Sequence, residues 1–281
     1  MRHSLYQVSI TFRGGVEMLG SSHTAQDVAG STPYLVLTEE DYRVLGPADF
    51  GGPGLEAIEV LGPYVDIHAS GPLITIHDST VEPHLGIGHH LHRNNERLFY
   101  IMSGELDHDD KRNDIQGHME TGDVGLFTEG QHGMLHSEWN NGDVPTRAYI
   151  LVYTTDPVPE QTSFTRLRNA DAPRYEEGDG VRTKELVGSR SGLRVHGDLR
   201  LFADSVVDDG QTLMVALGDG EGGLLSIRSG RVRMDDHEIG AGATVLLPPT
   251  EGERSLAVDA VGSTRVLRAV YGPGRGFVLR E

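Results

Sequence analysis

Apolar residues in this chain recur in short runs: Tyr34-Leu35-Val36-Leu37, Leu73-Ile74-Thr75-Ile76, Leu98-Phe99-Tyr100-Ile101-Met102 and Tyr149-Ile150-Leu151-Val152-Tyr153. Each run is rich in β-branched or aromatic residues and is bounded by Gly, Asn, Asp or Pro, which predicts strands joined by tight turns. A helical spacing is suggested only near the start, around Ser22 to Asp27. The pattern is that of an all-β protein.

The strand pattern repeats. Ile101-Met102-Ser103-Gly104 is echoed by Ile227-Arg228-Ser229-Gly230, and Thr121-Gly122-Asp123-Val124-Gly125-Leu126-Phe127 by Ala241-Gly242-Ala243-Thr244-Val245-Leu246-Leu247. Self-similarity of this kind marks two copies of one structural unit. The stretch from Pro157 to about Gly197 is charged and polar, with Arg166, Arg168, Arg174, Glu176, Glu177, Asp179 and Arg182. The expectation is two β-barrels in tandem, at 1–160 and 198–281, with a linker at 161–197.

Composition narrows the class. The 37 glycines and 13 prolines suit many short strands. No apolar stretch approaches the ~20 residues of a membrane span. The opening Met1-Arg2-His3-Ser4-Leu5-Tyr6-Gln7 lacks the apolar core of a signal peptide. With no cysteine there is no disulfide and no thiolate ligand. These features lead us to expect a cytoplasmic protein. A formal net charge of −18 argues against direct nucleic-acid binding, which needs cations to neutralise phosphates. Arg228, Arg231 and Arg233 alternate along a predicted strand and read as a solvated face.

Nine of the 14 histidines lie between His77 and His136, so candidate chemistry concentrates there. His90 and His92 form an HxH dyad, and His136 and Glu138 form an HxE dyad. Residues at i and i+2 of a strand share a face, so two antiparallel strands could converge these four side chains on one ion. His89 then points the other way. The expected ligand set is His90, His92, His136 and Glu138. Carrying those positions into the second repeat lands on Ala216, Gly218, Leu256 and Val258, none of which binds metal. One site, in the first barrel, is predicted.

Three neutral imidazoles and one carboxylate suit a divalent transition ion, with Fe(II) the first choice and Ni, Cu, Mn or Zn as alternatives. Glu96 is a further candidate, against a plain ion pair with Arg93 or Arg97. His108 and His132 are read as exposed loop histidines in preference to partners of the ligands, and Trp139 as core.

These residues resemble the pirin family, whose members are two-barrel (bicupin, jelly-roll type) proteins of the cupin superfamily and include quercetin 2,3-dioxygenases. The similarity runs through Gly71-Pro72-Leu73, His90-Leu91-His92-Arg93, Glu96, Tyr100, Ser103-Gly104-Glu105, His108, Gly122-Asp123-Val124, Thr128, Gly130, Gly133 and His136-Ser137-Glu138. Gly192-Leu193-Arg194-Val195 and Leu199-Arg200-Leu201-Phe202-Ala203 resemble the start of the second barrel. Leu91 stands where the family has proline, Asn94-Asn95 differ from its usual residues, and the turn at Gly130-Gln131-His132-Gly133 is one residue longer. The segment before Gly71 does not match the family's aromatic-rich N-terminus.

The resemblance implies a mononuclear iron protein that opens a flavonol-type hydroxy-ketone with O2. Glu138 or Glu96 would then take the substrate proton. Two other readings are a non-catalytic iron-binding regulator of a protein partner and a natural-product cyclase or isomerase on the same scaffold.

Overall fold

The computed structural model describes residues 34–280, so the expected turn of helix at Ser22–Asp27 lies outside the described residues. Nearly all regular structure is β, with a single four-residue helix at Pro47–Phe50. The first half builds a nine-stranded antiparallel sheet around Asn95–Ser103, Thr146–Thr154 and Leu73–Val81, and a four-stranded sheet in the order Gly86–His92, Met134–Trp139, Glu105–Asp110 and Ile115–Glu120. The second half forms another nine-stranded sheet, centred on Gly222–Met234 and Arg254–Tyr271. The fold is all-β and cupin-like. Its sheets stack and curl, but no ladder closes them into continuous barrels.

Strand alternation assigns the core. In Asn95–Ser103, Phe99 and Ile101 face the four-stranded sheet and pack with Leu106, Phe127, Met134 and Ile150. Leu98 and Tyr100 face the other way, into a second core with Phe202, Leu224, Leu267 and Tyr271 from the second half. This strand is therefore buried on both faces, which explains why its sequence is a continuous apolar run after Arg97.

The two halves also exchange strands. Leu35–Leu37 pairs with Thr244–Leu247, and Phe277–Leu279 pairs with Ile67–Ser70. Residues 161–197, expected as a linker, carry Ser163–Leu167 on the edge of Val124–Thr128, together with Arg174–Gly178 and Val181–Val187 in the second half's sheet. Their many charged residues, including the buried Lys184 and Glu185, hide the strand pattern in the sequence.

A buried polar clamp crosses the same interface. The Tyr100 hydroxyl donates to Asp204 Oδ2 at 2.6 Å, and Arg265 donates to both oxygens of that carboxylate at 2.9 and 2.6 Å. Burial beside the Asp204 charge pushes the Tyr100 phenol far above its ordinary pKa, so it remains a donor. Replacing Tyr100 with Phe should lower unfolding stability by about 1–2 kcal/mol, the usual cost of depriving a buried acceptor of one partner. Urea titration checks this, and a change below ~0.5 kcal/mol would show that the clamp contributes nothing net.

Candidate metal centre

Two adjacent antiparallel strands carry the histidines. Gly86–His92 and Met134–Trp139 pair with His136 opposite His90 and Met134 opposite His92. The register then shifts, and Glu138 lies opposite Ile87. Two residues, Gly88 and His89, thus oppose Ser137 alone, which is a β-bulge that re-aims the neighbouring side chains. The strands also approach closely here. A Cβ on Gly86 would lie 2.1 Å from the Glu138 carbonyl oxygen, so only glycine fits.

His90, His92 and His136 meet on the inner face, with ring centroids 4.6 to 5.0 Å apart. One nitrogen from each lies within 4.8 Å of the others, a spacing that could hold a metal ion. Glu138 borders the cluster, with Oε1 3.1 Å from His136 Nε2 and Oε2 3.7 Å from His90 Nε2. His92 Nε2, His136 Nε2 and Glu138 Oε2 are buried and have no hydrogen-bond partner. Three orphaned acceptor-type atoms around one point are costly in a protein unless a cation satisfies them. The donor set therefore fits a divalent transition ion.

The electrostatics agree. Burial, reinforced by the Arg97 charge and neighbouring imidazoles, holds His92 and His136 far below the usual histidine range, so both are neutral and offer lone pairs. Burial raises the Glu138 carboxyl, against the opposing charges of His90 and Arg97. His90 Nδ1 donates to the Gly88 carbonyl at 2.8 Å, which turns Nε2 toward the centre.

The structure corrects several expectations. His108 is not an exposed loop histidine: it is 2% exposed, and its Nδ1 lies 3.2 Å from His136 Nδ1. The strand Glu105–Asp110, which pairs beside Met134–Trp139, brings it there. His89 points outward and pairs with Asp109 at 3.0 Å. His132 is exposed, and only its carbonyl is engaged, by Arg112. Trp139 is not core: alternation after Glu138 turns it outward, 40% exposed.

Glu96 is not brought to the cluster. It occupies the face of Leu98 and Tyr100, fully buried. There it accepts hydrogen bonds from Thr128 Oγ1 at 2.7 Å and from the amides of His196 and Gly197 at 2.8 and 3.2 Å, with the His196 ring also 2.8 Å away. Both oxygens are committed to tying the halves together. Its predicted ion pair with Arg97 is absent as well, because Arg97 lies on the opposite face and pairs with Glu129.

A cavity of about 350 Å³ opens from the histidines between the two sheets. Ile74, Phe99, Ile150 and Val152 form apolar walls, and Phe50 and Tyr64 also contribute to the lining. Its polar groups besides the cluster include Arg97, Asn95 and the pair His77–Glu59, at 2.9 Å. Sequence reasoning missed Glu59, His77 and Arg97. The shared parity of Asn95, Arg97 and Phe99 was the available signal for Arg97.

A converging three-histidine cluster between stacked sheets, opening into an apolar cavity, is a candidate metal site in a cupin-like fold. Residues 54–152 match the Pirin family. Quercetin 2,3-dioxygenase of Escherichia coli K12 is 30% identical over 147 residues, covering 50% of this chain and 58% of that protein. The chain thus spans a little over half the length of that curated relative. Among solved structures, bacterial pirin YhhW from Escherichia coli in complex with nickel(II) covers 85% of this chain and 99% of its own, with TM-score 0.70 and 17% identity. Quercetin 2,3-dioxygenase from Acinetobacter baumannii covers 85% of this chain and 86% of its own, with TM-score 0.69 and 18% identity. Residues 54–152 of the chain thus carry a Pirin-like region.

Two outcomes follow from the geometry. His92→Ala should abolish stoichiometric metal retention, whereas His89→Ala should keep most of it, as read by elemental analysis after dialysis; equal loss would refute the facing assigned here. Metal-free protein should also weaken in acid. Burial lowers His108 to about 4, so the unfolded chain binds the proton more readily. The stability from a neutral His108 is fully present above the unfolded pKa of ~6.5 and is lost as pH falls toward about 4, on the order of 3 kcal/mol. Denaturation of His108→Phe across that window should show a flatter pH profile, and an unchanged one would exclude His108 as a contributor.

Proposed function

We propose that this chain is a metal-dependent dioxygenase that opens a flavonol-type hydroxy-ketone with O2, with His90, His92, His136 and Glu138 as ligands and Fe(II) as the working ion. The observation that carries this reading is the unpartnered Glu138 Oε2, buried beside the three imidazoles at one end of an apolar cavity. A divalent ion bound there supplies Lewis acidity that lowers the pKa of a substrate hydroxyl, and a redox partner for O2. With one carboxylate beside the divalent ion the centre carries about one positive charge, which favours loss of the substrate's hydroxyl proton.

The chain's own residues do the rest. Glu138, whose carboxyl burial makes more basic than usual, takes the hydroxyl proton on Oε2. Phe99, Ile150 and Val152 flank the aromatic rings and exclude water, and this strengthens each electrostatic contact inside. His108 engages His136 through Nδ1 at 3.2 Å, which leaves the Nε2 edge of His136 facing the ion. A cavity of about 350 Å³ lies at the lower end of small-molecule sites and suits a ligand of two or three rings. The names of the relatives support the same substrate class.

Iron-loaded protein should consume O2 on addition of a flavonol. Glu138→Gln should still bind the flavonol, with kcat reduced ~10²–10⁴-fold, the range lost with a general base. An oxygen electrode and titration calorimetry on one preparation read both. Absence of uptake with several flavonols at full iron loading would overturn the assignment, and unchanged turnover in Glu138→Gln would remove Glu138 from the proton transfer.

A further inference from the structure

The cavity holds one cation that the proposed chemistry leaves unused. Arg97 lies on the strand face of Phe99 and Ile101, lines the cavity with His90 and His92, and has a side chain only 14% exposed. Its Nε donates to Glu129 Oε1 at 2.7 Å. Glu129 is fully buried and is itself held by the Asn95 amide at 3.0 Å. The guanidinium is therefore anchored through one edge. Among the described residues, its two terminal nitrogens donate no hydrogen bond to the protein. A guanidinium fixed at Nε presents its remaining N–H groups as a planar fork, the geometry that matches a carboxylate.

The other charges in the cavity leave Arg97 as the place for an anion. Glu59 is already satisfied by His77 Nε2 at 2.9 Å and the Tyr64 amide at 2.7 Å, and it repels a second carboxylate. Much of the remaining lining is hydrocarbon, with Ile74, Phe99, Ile150 and Val152, which suits a ligand built of rings. We infer that the natural substrate of this chain is an aromatic carboxylate, whose carboxyl group docks on the Arg97 fork while its hydroxy-ketone end meets the histidine cluster. This rests on reading that cluster as the reactive end of the cavity, and it adds a second anchor that sets which ring system enters and in which direction.

The test uses full-length protein loaded with zinc, which holds the site without redox chemistry. Calorimetric titration compares biphenyl-4-carboxylate with biphenyl-4-carboxamide, which have the same shape and differ in charge. Wild type should bind the carboxylate at least about tenfold more tightly, as expected for a charged hydrogen-bonded pair. Arg97→Gln should erase that preference while leaving carboxamide affinity within about twofold of wild type. Arg97→Lys keeps a cation beside buried Glu129, guarding against a folding defect, but loses the fork; it should lose at least about threefold of the preference.

A preference that survives in Arg97→Gln, or in Arg97→Lys if Arg97→Gln does not fold, would overturn the inference, since the metal would then be holding the carboxylate. Equal affinities in wild type would overturn it too. Oxygen uptake with an uncharged flavonol is measured separately. Uptake without an Arg97-dependent preference sinks this inference alone, and the preference without uptake sinks the dioxygenase reading alone.

Discussion

The pairing of Gly86–His92 with Met134–Trp139 is the constraint on which the site depends. His136 lies opposite His90 in that register. A slip of one residue would turn His90, His92, His136 and Glu138 from the cavity to solvent together, because the side-chain period of a strand is two. The bulge at Gly88-His89 and the close approach at Gly86 pin the register where it matters. Glu105–Asp110 supports the pair from the far side and brings His108 behind His136.

A second strand couples this site to the rest of the molecule. In Asn95–Ser103, one parity gives Arg97 and Phe99 to the cavity, and the other gives Glu96, Leu98 and Tyr100 to the contact with the second half. The second half thereby buttresses the strand that lines the cavity. Its role in the site is mechanical. Displacing Glu96 from the amides of His196 and Gly197 would shift the strand that also carries Arg97.

Burial sets the chemistry of the cluster. Taking imidazoles out of water removes their protons and makes them ligands, and the same desolvation raises the basicity of Glu138. In a chain with a formal charge of −18, the Arg97 guanidinium inside the cavity stands against the general balance. It is held there by Glu129, so the pair adds no net charge while its donors remain directed.

Local patterns in the sequence determined the all-β class and pointed to the grouping of His90, His92 and His136, because a period of two and the paired dyads are properties of neighbouring residues. Alternation also separated His89 from the cluster. Tertiary structure decided the remainder. Glu96 and Arg97 are adjacent in sequence and point to opposite faces, and which face holds the cavity depends on where the four-stranded sheet packs. His108 is buried only because its strand lies beside His136, and Trp139 is exposed only because nothing covers the outer face next to it. The strand exchanges of Leu35–Leu37 and Phe277–Leu279, and the strands within residues 161–197, rest on partners far away in the chain. Pairing between distant segments leaves no periodic trace in either segment alone, and so these features became visible only in three dimensions.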